Sequence, residues 1–483
     1  MRLDIFTPFP IAALLASGAV FAEPTADRWR PQLHFTAPDD WINDPNGLFR
    51  VGTEWHLQFQ YRNQRHWGHA KSMDLLRWEM LPVALAPDAV GDVWSGCTVR
   101  DERNTSGFFA PGRSGLVSAY ASWKNPAQHI SLAFSADEGA TWQRPPGNPV
   151  LDTGKTDFRD PKVLWHEPTA RWAMVVAANK RLEFYSSPDF KNWTRTGEFG
   201  PQPRPSQVFE CPDLFKLPVE GGAGREKWVL VSSFVDNGAC ETRYWIGEFD
   251  GNLFREETAE PQLLGSGPDD YAAITWPRDP ATGRTVLIGW MNTWTYAGNA
   301  PTQPWKGCMT LPRELTLQAV PGGGWSLRQR PIRELWAALS TSKSFAGSDG
   351  RSVLGKMSTG ALKVKLRPQR DSKVEIELFA AGSAKTVVGY EAALGVVYFD
   401  RRESGGTTVS DKFPVRREAP LSLDAEGVLE MEIVWDRSTV EVFAGHGAVY
   451  LSGLVFPDLI ADEVAIRVSP GGTPVDAQLW EFR

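Results

Sequence analysis

The chain has 483 residues, more than one compact domain usually holds, so the length favours two domains and excludes a single small module. Charged residues make up 23% and hydrophobic residues 42%, with 44 Gly and 36 Pro, a globular composition too apolar for a disordered chain and too rich in turn residues for a helical rod. The formal net charge is -7 and no basic block stands out, which argues against nucleic acid as a partner.

Residues 1–22 have the pattern of a signal peptide. An apolar run from Ile11 to Phe21 ends at Ala22, where cleavage is expected. The run is too short to span a membrane unaided, and no later stretch reaches about 18 apolar residues. We therefore expect a secreted or periplasmic protein with no membrane contact after cleavage. A buried N-terminal strand is the competing interpretation.

A repeated turn motif predicts the fold of the next 300 residues or so. Each copy begins with Ser-x-Asp, ends in Trp and follows a short β-rich segment. The spacing between copies suits a four-stranded propeller blade with its loops. Five such units fit before Leu327, so we predict a five-bladed β-propeller over 27–329. A large β-sandwich with coincidental turns is the alternative. The copies are Ser72–Trp78, Ser135–Trp142 and Ser187–Trp193.

Residues 330–346 show the one convincing helical period, with apolar side chains at Ile332, Leu335 and Leu339, and we predict a linker helix there. The pattern then changes to strict alternation. Period-two strands separated by short turns predict a second all-β domain over 347–483, most simply a sandwich. The alternating segments include 362–366, 374–378, 440–443 and 464–468.

Three acidic residues stand beside prolines in motif-like settings. Asp-Pro-Asn-Gly around Asp44 would by itself be an ordinary β-turn. However, Asp160 lies about two blades further along the chain, and Glu210 lies one blade beyond it. Equivalent positions on successive blades point at one central axis, so these distant carboxylates are predicted to converge.

Convergent carboxylates in an aromatic-rich pocket are what glycosidic cleavage needs. One acid protonates the leaving oxygen, while another attacks or stabilises the oxocarbenium-like centre. Asp160 is expected to stay ionised because the neighbouring Arg159 favours its charged form. Glu210, between Phe209 and Cys211, is the better candidate for the general acid.

The motifs that carry these residues resemble those of glycoside hydrolase family 32, the β-fructosidases that include levanases, exo-inulinases and invertases. Six motifs stand in the family's order, and residues 440–457 resemble its C-terminal domain. The resemblance implies a five-bladed propeller with a sandwich, and retaining hydrolysis of β-fructofuranosides. The motifs are WINDPNG (41–47), WSGC (94–97), FRDPKV (158–163), ECPDLF (210–215), GPDDYAAITW (267–276) and PWKGCMTLPREL (304–315).

The resemblance also implies roles for single residues. Asp44 resembles the nucleophile, Glu210 the acid/base and Asp160 the stabiliser of the charged ring. No metal or organic cofactor is expected. Asp270, where the family usually has Phe, is expected near the pocket rim or facing solvent. Residues expected to bind substrate are Asn43, Gln60, Trp67, Ser95, Arg159, Asp269 and Trp290, with core packing nearly as good an explanation for Trp67.

The substrate is expected to be a fructan or sucrose, cleaved from the chain end because residues 289–307 resemble exo-acting fructanases. An endo-acting fructanase, a fructosyltransferase, an inactive fructan-binding protein and an inverting arabinan-cleaving propeller enzyme remain alternatives. Export would permit disulfides, but the cysteines show no metal-binding spacing, and buried thiols are expected for most of them. They are Cys97, Cys211, Cys240 and Cys308.

Overall fold

The structure is a computed structural model, and the expected signal peptide lies outside the residues that it describes. No helix in the described part of the chain is long and apolar enough to cross a membrane. The structure describes residues 27–201, 208–236, 239–257, 260–320, 323–340, 342–347, 350–405, 409–458, 461–469 and 475–482.

The first two sheets are antiparallel and follow the chain in order. The first contains β1–β5, and a short parallel strand from much later in the chain (305–306) pairs with β1. The second sheet has three strands. Where a fourth strand would lie, residues 143 and 151 form isolated bridges to the third strand of the sheet. The strands are β1 (Asp40–Pro45), β2 (Phe49–Val51), β3 (Glu54–Tyr61), β4 (His66–Ser72) and β5 (Glu79–Leu85), then β6 (Asp92–Asp101), β7 (Gly115–Lys124) and β8 (Ala127–Ser135).

Three more antiparallel sheets complete the first part of the molecule. The third contains β9 (Arg159–His166), β10 (Arg171–Ala178), β11 (Arg181–Ser187) and β12 (Thr194–Phe199). The fourth contains β13 (Val208–Pro218), β14 (Glu226–Asp236), β15 (Ala239–Phe249), β16 (Phe254–Glu256) and β17 (Gln262–Leu263). The fifth contains β18 (Tyr271–Thr275), β19 (Val286–Trp290), β21 (Arg313–Ala319) and β22 (Trp325–Pro331), while β20 (Trp305–Lys306) pairs with β1.

The sheets contact one another around a ring, mostly through their first strands, and β6 completes it by contacting β2, β3 and β4 of the first sheet. β6 contacts β9, β9 contacts β13, β13 contacts β18, and β18 returns to β1. The parallel pairing of β1 with β20 joins the beginning of this region to its end. Five sheets around one axis are the arrangement predicted from the repeat.

Two copies of the repeated Ser-x-Asp motif form the same turn, and the copy at Asp137 is a variant in which Oδ1 accepts from the Thr141 amide. Ser72 Oγ donates to Asp74, whose Oδ1 then accepts the backbone N–H groups of Leu76 and Arg77. The copy at Asp189 makes equivalent bonds. Each turn links the third strand of a blade to the segment that follows, so the sequence repeat marks the same corner of successive blades.

The predicted linker helix over 330–346 is too long. α1 covers Arg333–Ala338, and the chain then leaves the helix because Leu339 bridges to Phe482 near the C-terminus. Backbone pairing with the last strand therefore replaces further helical turns. In the described residues the other helical pieces are single 3-10 turns at Asp27–Trp29, Glu167–Thr169 and Ala297–Asn299.

The second part consists of two six-stranded sheets packed face to face, as the alternating pattern predicted. Side chains at alternate positions of both sheets, such as Leu362, Val364, Val374 and Ile376, form one buried core. The first sheet contains β23 (Lys343–Gly347), β25 (Gly360–Leu366), β30 (Leu429–Asp436), β31 (Thr439–Ala444), β32 (Val449–Leu454) and β34 (Val475–Glu481). The second contains β24 (Gly350–Lys356), β26 (Lys373–Ala381), β27 (Ala384–Glu391), β28 (Val396–Asp400), β29 (Arg416–Pro420) and β33 (Glu463–Ser469).

The all-β prediction is confirmed. The division into domains at 27–329 and 347–483 stays a prediction. In the structure β22 continues the fifth sheet to Pro331, and β23, which begins at Lys343, already belongs to the sandwich.

Candidate active site

The three predicted acids lie on the first strands of three different sheets. Asp44 is near the end of β1, Asp160 is the second residue of β9, and Glu210 is the third residue of β13. All three line one cavity of about 290 Å³. Residues remote in the chain therefore meet at the axis.

A bulge in each of these first strands aims side chains towards the axis. The register shifts between Ile42 and Pro45 in β1 and between Glu210 and Asp213 in β13, and the shift in β9 falls beside Asp160. Asp160 and Cys211 take the left-handed conformation at these points, with φ of 59° and 44°. Bulges bend a strand and redirect a side chain, which is why they recur beside active sites. β6 and β18 have the same shift, so the device is common to all five sheets.

The thiol and amide of Cys211 connect two of the acids. Its Sγ lies 3.6 Å from Asp44 Oδ2 and 3.7 Å from Asp160 Oδ2, so those two oxygens are no further apart than the sum of these distances. The backbone N–H of Cys211 donates to Asp160 Oδ2 at 3.0 Å. Ser95 Oγ donates to Asp44 Oδ2 at 2.9 Å. Both carboxylates are thus held in fixed orientations before a ligand arrives.

Glu210 is held by a different pair of groups. Arg159 Nη2 donates to Glu210 Oε1 at 2.7 Å, and the Tyr271 hydroxyl donates to Oε2. Arg159 also pairs with Asp157. Glu210 is the most accessible of the three acids, with 21% of its side chain exposed. That exposure suits a group that meets the leaving part of a substrate.

Burial in the cavity wall opposes the charged form of two acids. Burial and the negative charge of Glu210 raise the pKa of Asp44. Burial also raises the pKa of Asp160 to about 7, although the Arg159 guanidinium acts in the opposite direction. Arg159 therefore favours the ionised form of Asp160, as expected, but its effect on the pKa is smaller than that of burial. Arg159 directs its Nη groups to Asp157 and Glu210, and its Nε lies 3.7 Å from Asp160.

Four of the seven predicted binding residues line the cavity: Asn43, Gln60, Ser95 and Arg159. Both amide atoms of Gln60 are buried without a hydrogen-bond partner, and so is Oδ1 of Asp44. Buried polar groups are almost always hydrogen-bonded in folded proteins. Amide and carboxylate groups in the wall of a small cavity suit a ligand that carries hydroxyl groups.

Trp67 and Trp290 do not line the cavity. Both are fully buried. Trp67 packs against Tyr120 and donates its indole N–H to the Trp94 carbonyl, so core packing is the correct explanation for it. Trp290 packs behind Trp294, and it is Trp294 that forms the wall.

Asp269 and Asp270 are also placed differently from the prediction. Asp269 is fully buried and accepts hydrogen bonds from Arg401 Nη1 at 2.7 Å and from the Leu454 amide, both in the second domain. Asp270 is buried against Arg313, with contacts of 3.0 and 3.2 Å, and does not reach the rim. Both acids serve the packing of the molecule, not the cavity.

Sequence reasoning missed three lining residues, Gln64, Gln128 and Trp294, and left Trp94 open between core packing and sugar contact. Trp94 and Trp294 stand within motifs already singled out, so aromatic character was the available signal, but nothing in the sequence distinguishes Trp294 from Trp290. Gln64 and Gln128 lie outside every motif. In the described part of the chain, no cluster of three or more His, Cys, Asp or Glu residues could hold a metal ion.

The sequence models of two domains match this chain: "Glycosyl hydrolases family 32 N-terminal domain" over residues 34–331 and "Glycosyl hydrolases family 32 C terminal" over 326–481. The chain belongs to glycosyl hydrolase family 32. It is a glycoside hydrolase of the fructosidase type, as the motifs predicted.

Curated relatives and solved structures agree with this membership. The chain is 38% identical to a levanase of Bacillus subtilis over 470 residues, covering 92% of this chain and 69% of that protein. It is 34% identical to an extracellular exo-inulinase of Aspergillus awamori, covering 97% of each chain. The crystal structure of exo-inulinase from Aspergillus awamori has a TM-score of 0.87 at 32% identity, covering 94% of this chain and 98% of that one.

Proposed function

We propose that this protein is a secreted, retaining exo-β-fructosidase that releases terminal fructose from levan- or inulin-type fructans and from sucrose. The observation that carries the proposal is the single small cavity lined by Asp44, Asp160 and Glu210. Relatives named levanase and extracellular exo-inulinase support the substrate class and the export. The signal-peptide pattern of residues 1–22 supports export as well.

In the first step the Asp44 carboxylate attacks C2 of the terminal fructosyl unit. The bond between C2 and the glycosidic oxygen breaks, and an ester bond between C2 and Asp44 forms. Glu210 gives its proton to the departing oxygen, which leaves as the hydroxyl of the shortened chain. In the second step Glu210 takes a proton from water, whose oxygen attacks C2 and releases Asp44. Two displacements at one carbon retain its configuration.

The remaining wall groups orient the ring. Asp160 accepts hydrogen bonds from ring hydroxyls, and its negative charge stabilises the positive charge that develops at C2. Gln60 lines the same cavity, where its amide can hydrogen-bond to ring hydroxyls. Arg159 and Tyr271 hold Glu210 beside the leaving oxygen. Fixed donors and acceptors of this kind lower the barrier because they need no rearrangement during the reaction.

The size of the cavity favours action at chain ends. A volume of about 290 Å³ is at the small end of ligand pockets and suits one sugar ring. An enzyme that cuts inside a polymer needs an open cleft for units on both sides of the bond. We therefore favour exo action over endo action.

The test is product analysis with levan, inulin and sucrose in separate reactions. Fructose as the only early product supports exo hydrolysis, whereas early oligosaccharides would indicate endo cleavage or fructosyl transfer. Methanol added as acceptor should give methyl β-fructofuranoside, since the fructosyl-enzyme reacts from the same face. The α-anomer would overturn the retaining mechanism.

Asp44→Asn tests the nucleophile. We expect a loss of about 10⁴-fold or more in kcat with an unchanged fold, because the amide cannot form the ester intermediate. Asp40→Asn is the matched control, since Asp40 is exposed on the same strand. Unchanged turnover in Asp44→Asn would end the assignment, and no fructose release from any of the three substrates by the wild type would end the proposed function.

A further inference from the structure

A pair of stacked tryptophans leads from the cavity to the protein surface. Trp94 lines the cavity, and its ring stacks on that of Trp123 with centroids 5.1 Å apart and planes 15° apart. Trp123 does not line the cavity itself. It is the last residue but one of β7, just before an exposed turn at 124–126.

The stack is offset, which leaves part of each ring uncovered. Rings in contact are about 3.5–4 Å apart, so a centroid separation of 5.1 Å requires a sideways displacement of about 3–4 Å. Both rings are half-buried, unlike Trp67 and Trp290, which are fully buried. Core packing alone does not account for two large aromatic rings that remain partly exposed beside a binding cavity.

Polar groups that could bind hydroxyls flank the pair. In the register of the sheet Trp123 lies between Asp92 on β6 and Gln128 on β8. Gln128 lines the cavity, and Asp92 pairs with Arg65 at 2.9 Å, an arginine with more than half of its side chain exposed. An apolar platform edged by a few polar groups is the usual composition of a carbohydrate site.

We propose that Trp123, with Trp94, forms a platform that binds the fructosyl units of the leaving chain beyond the scissile bond. The inference rests on the proposed function, since the cavity holds the terminal unit and the platform begins at its wall. Trp123 is then a specificity residue that favours long fructans. Sucrose, whose leaving group is one sugar ring, does not extend as far as Trp123.

The experiment compares kcat/KM on inulin and on sucrose for the wild type, Trp123→Ala and Trp123→Phe. We expect Trp123→Ala to lower kcat/KM for inulin about five- to tenfold, mainly through KM, and to leave sucrose within about twofold. Trp123→Phe retains a ring and should keep most of the preference for inulin. Trp165→Ala is the matched control, because Trp165 is half-buried at the far end of β9 and does not line the cavity.

The outcomes are distinct. An equal loss on both substrates would mean that Trp123 only supports Trp94, and would overturn the inference while the proposed function stands. Unchanged kinetics on both substrates would also overturn it. If Trp123→Ala does not fold, retention of the inulin preference in Trp123→Phe and its loss in Trp123→Leu is the supporting result, and equal preference in the two variants contradicts the inference. A wild type that releases no fructose from levan, inulin or sucrose overturns the proposed function and this inference together.

Discussion

We expect Asp160 to lower the free energy of unfolding at neutral and alkaline pH. Its pKa rises from an ordinary 3.8 to about 7 because the folded chain buries its carboxylate. The folded state therefore binds this proton more tightly than the unfolded state, and the contribution of the proton to stability is lost as pH rises from about 4 through about 7. Three pKa units correspond to about 4 kcal/mol at 1.36 kcal/mol each.

Asp160→Asn removes the charge and keeps the shape. The amide oxygen can still accept the Cys211 N–H, which donates to Asp160 Oδ2 at 3.0 Å. At pH 4 the variant and the wild type should unfold at nearly the same temperature, since both side chains are neutral. At pH 8 the variant should have the higher Tm, by an amount that corresponds to about 4 kcal/mol, while kcat falls sharply.

Thermal unfolding followed by tryptophan fluorescence at pH 4, 5, 6, 7 and 8 measures the difference. The control is Asp411→Asn, which removes one charge from an exposed residue of the second domain. A Tm difference that does not change with pH, or a variant less stable than the wild type at pH 8, would refute the argument. In either case burial in the cavity wall would not be the dominant influence on this carboxylate.

Two further predictions concern packing and the domain interface. Trp294→Ala should raise KM for sucrose about tenfold with little change in Tm, whereas Trp290→Ala should destabilise the protein by about 3–5 kcal/mol because Trp290 is fully buried. Steady-state kinetics and thermal unfolding of the two variants distinguish the roles, and equal effects would contradict them. Burial alone would lower the pKa of His34, but hydrogen bonds to Asp436 and Glu441 outweigh burial and raise it to about 9. The net stability that protonation of His34 contributes, about 3 kcal/mol, should be lost as pH rises from about 6.5 through 9, and His34→Gln should lack this step in a plot of Tm against pH.

The sequence allowed the architecture and the acid cluster to be predicted because both follow from repetition. The Ser-x-Asp turns recur at the spacing of blades, and Asp44, Asp160 and Glu210 occupy corresponding points of three blades. In a fold built from repeated blades, the position of a residue in the chain indicates its position around the central axis. The resemblance of the motifs to glycoside hydrolase family 32 then indicated the type of reaction.

The direction of single side chains could not be predicted in the same way. A bulge shifts the alternation of a strand by one residue, so pattern alone does not show which neighbour faces the cavity. Trp290, the last residue of β19, is buried, whereas Trp294 in the following turn lines the cavity, and no periodic pattern distinguishes the two. Asp269 pairs with Arg401, a residue of another domain that no local pattern connects to it.

The placement of Asp269 explains how the second domain supports the active site. Asp269, Asp270 and Tyr271 are consecutive, and each binds a different part of the molecule: the first Arg401 of the sandwich, the second Arg313 of the fifth sheet, and the third Glu210 in the cavity. Three residues thus span the distance from the sandwich to the cavity. Ion pairs buried this deeply are costly to break, because removing one partner leaves an uncompensated charge. The sandwich therefore does more than cover the propeller: it contacts the residues just before β18, and Tyr271 at the start of that strand holds Glu210, the residue that we propose as the acid/base.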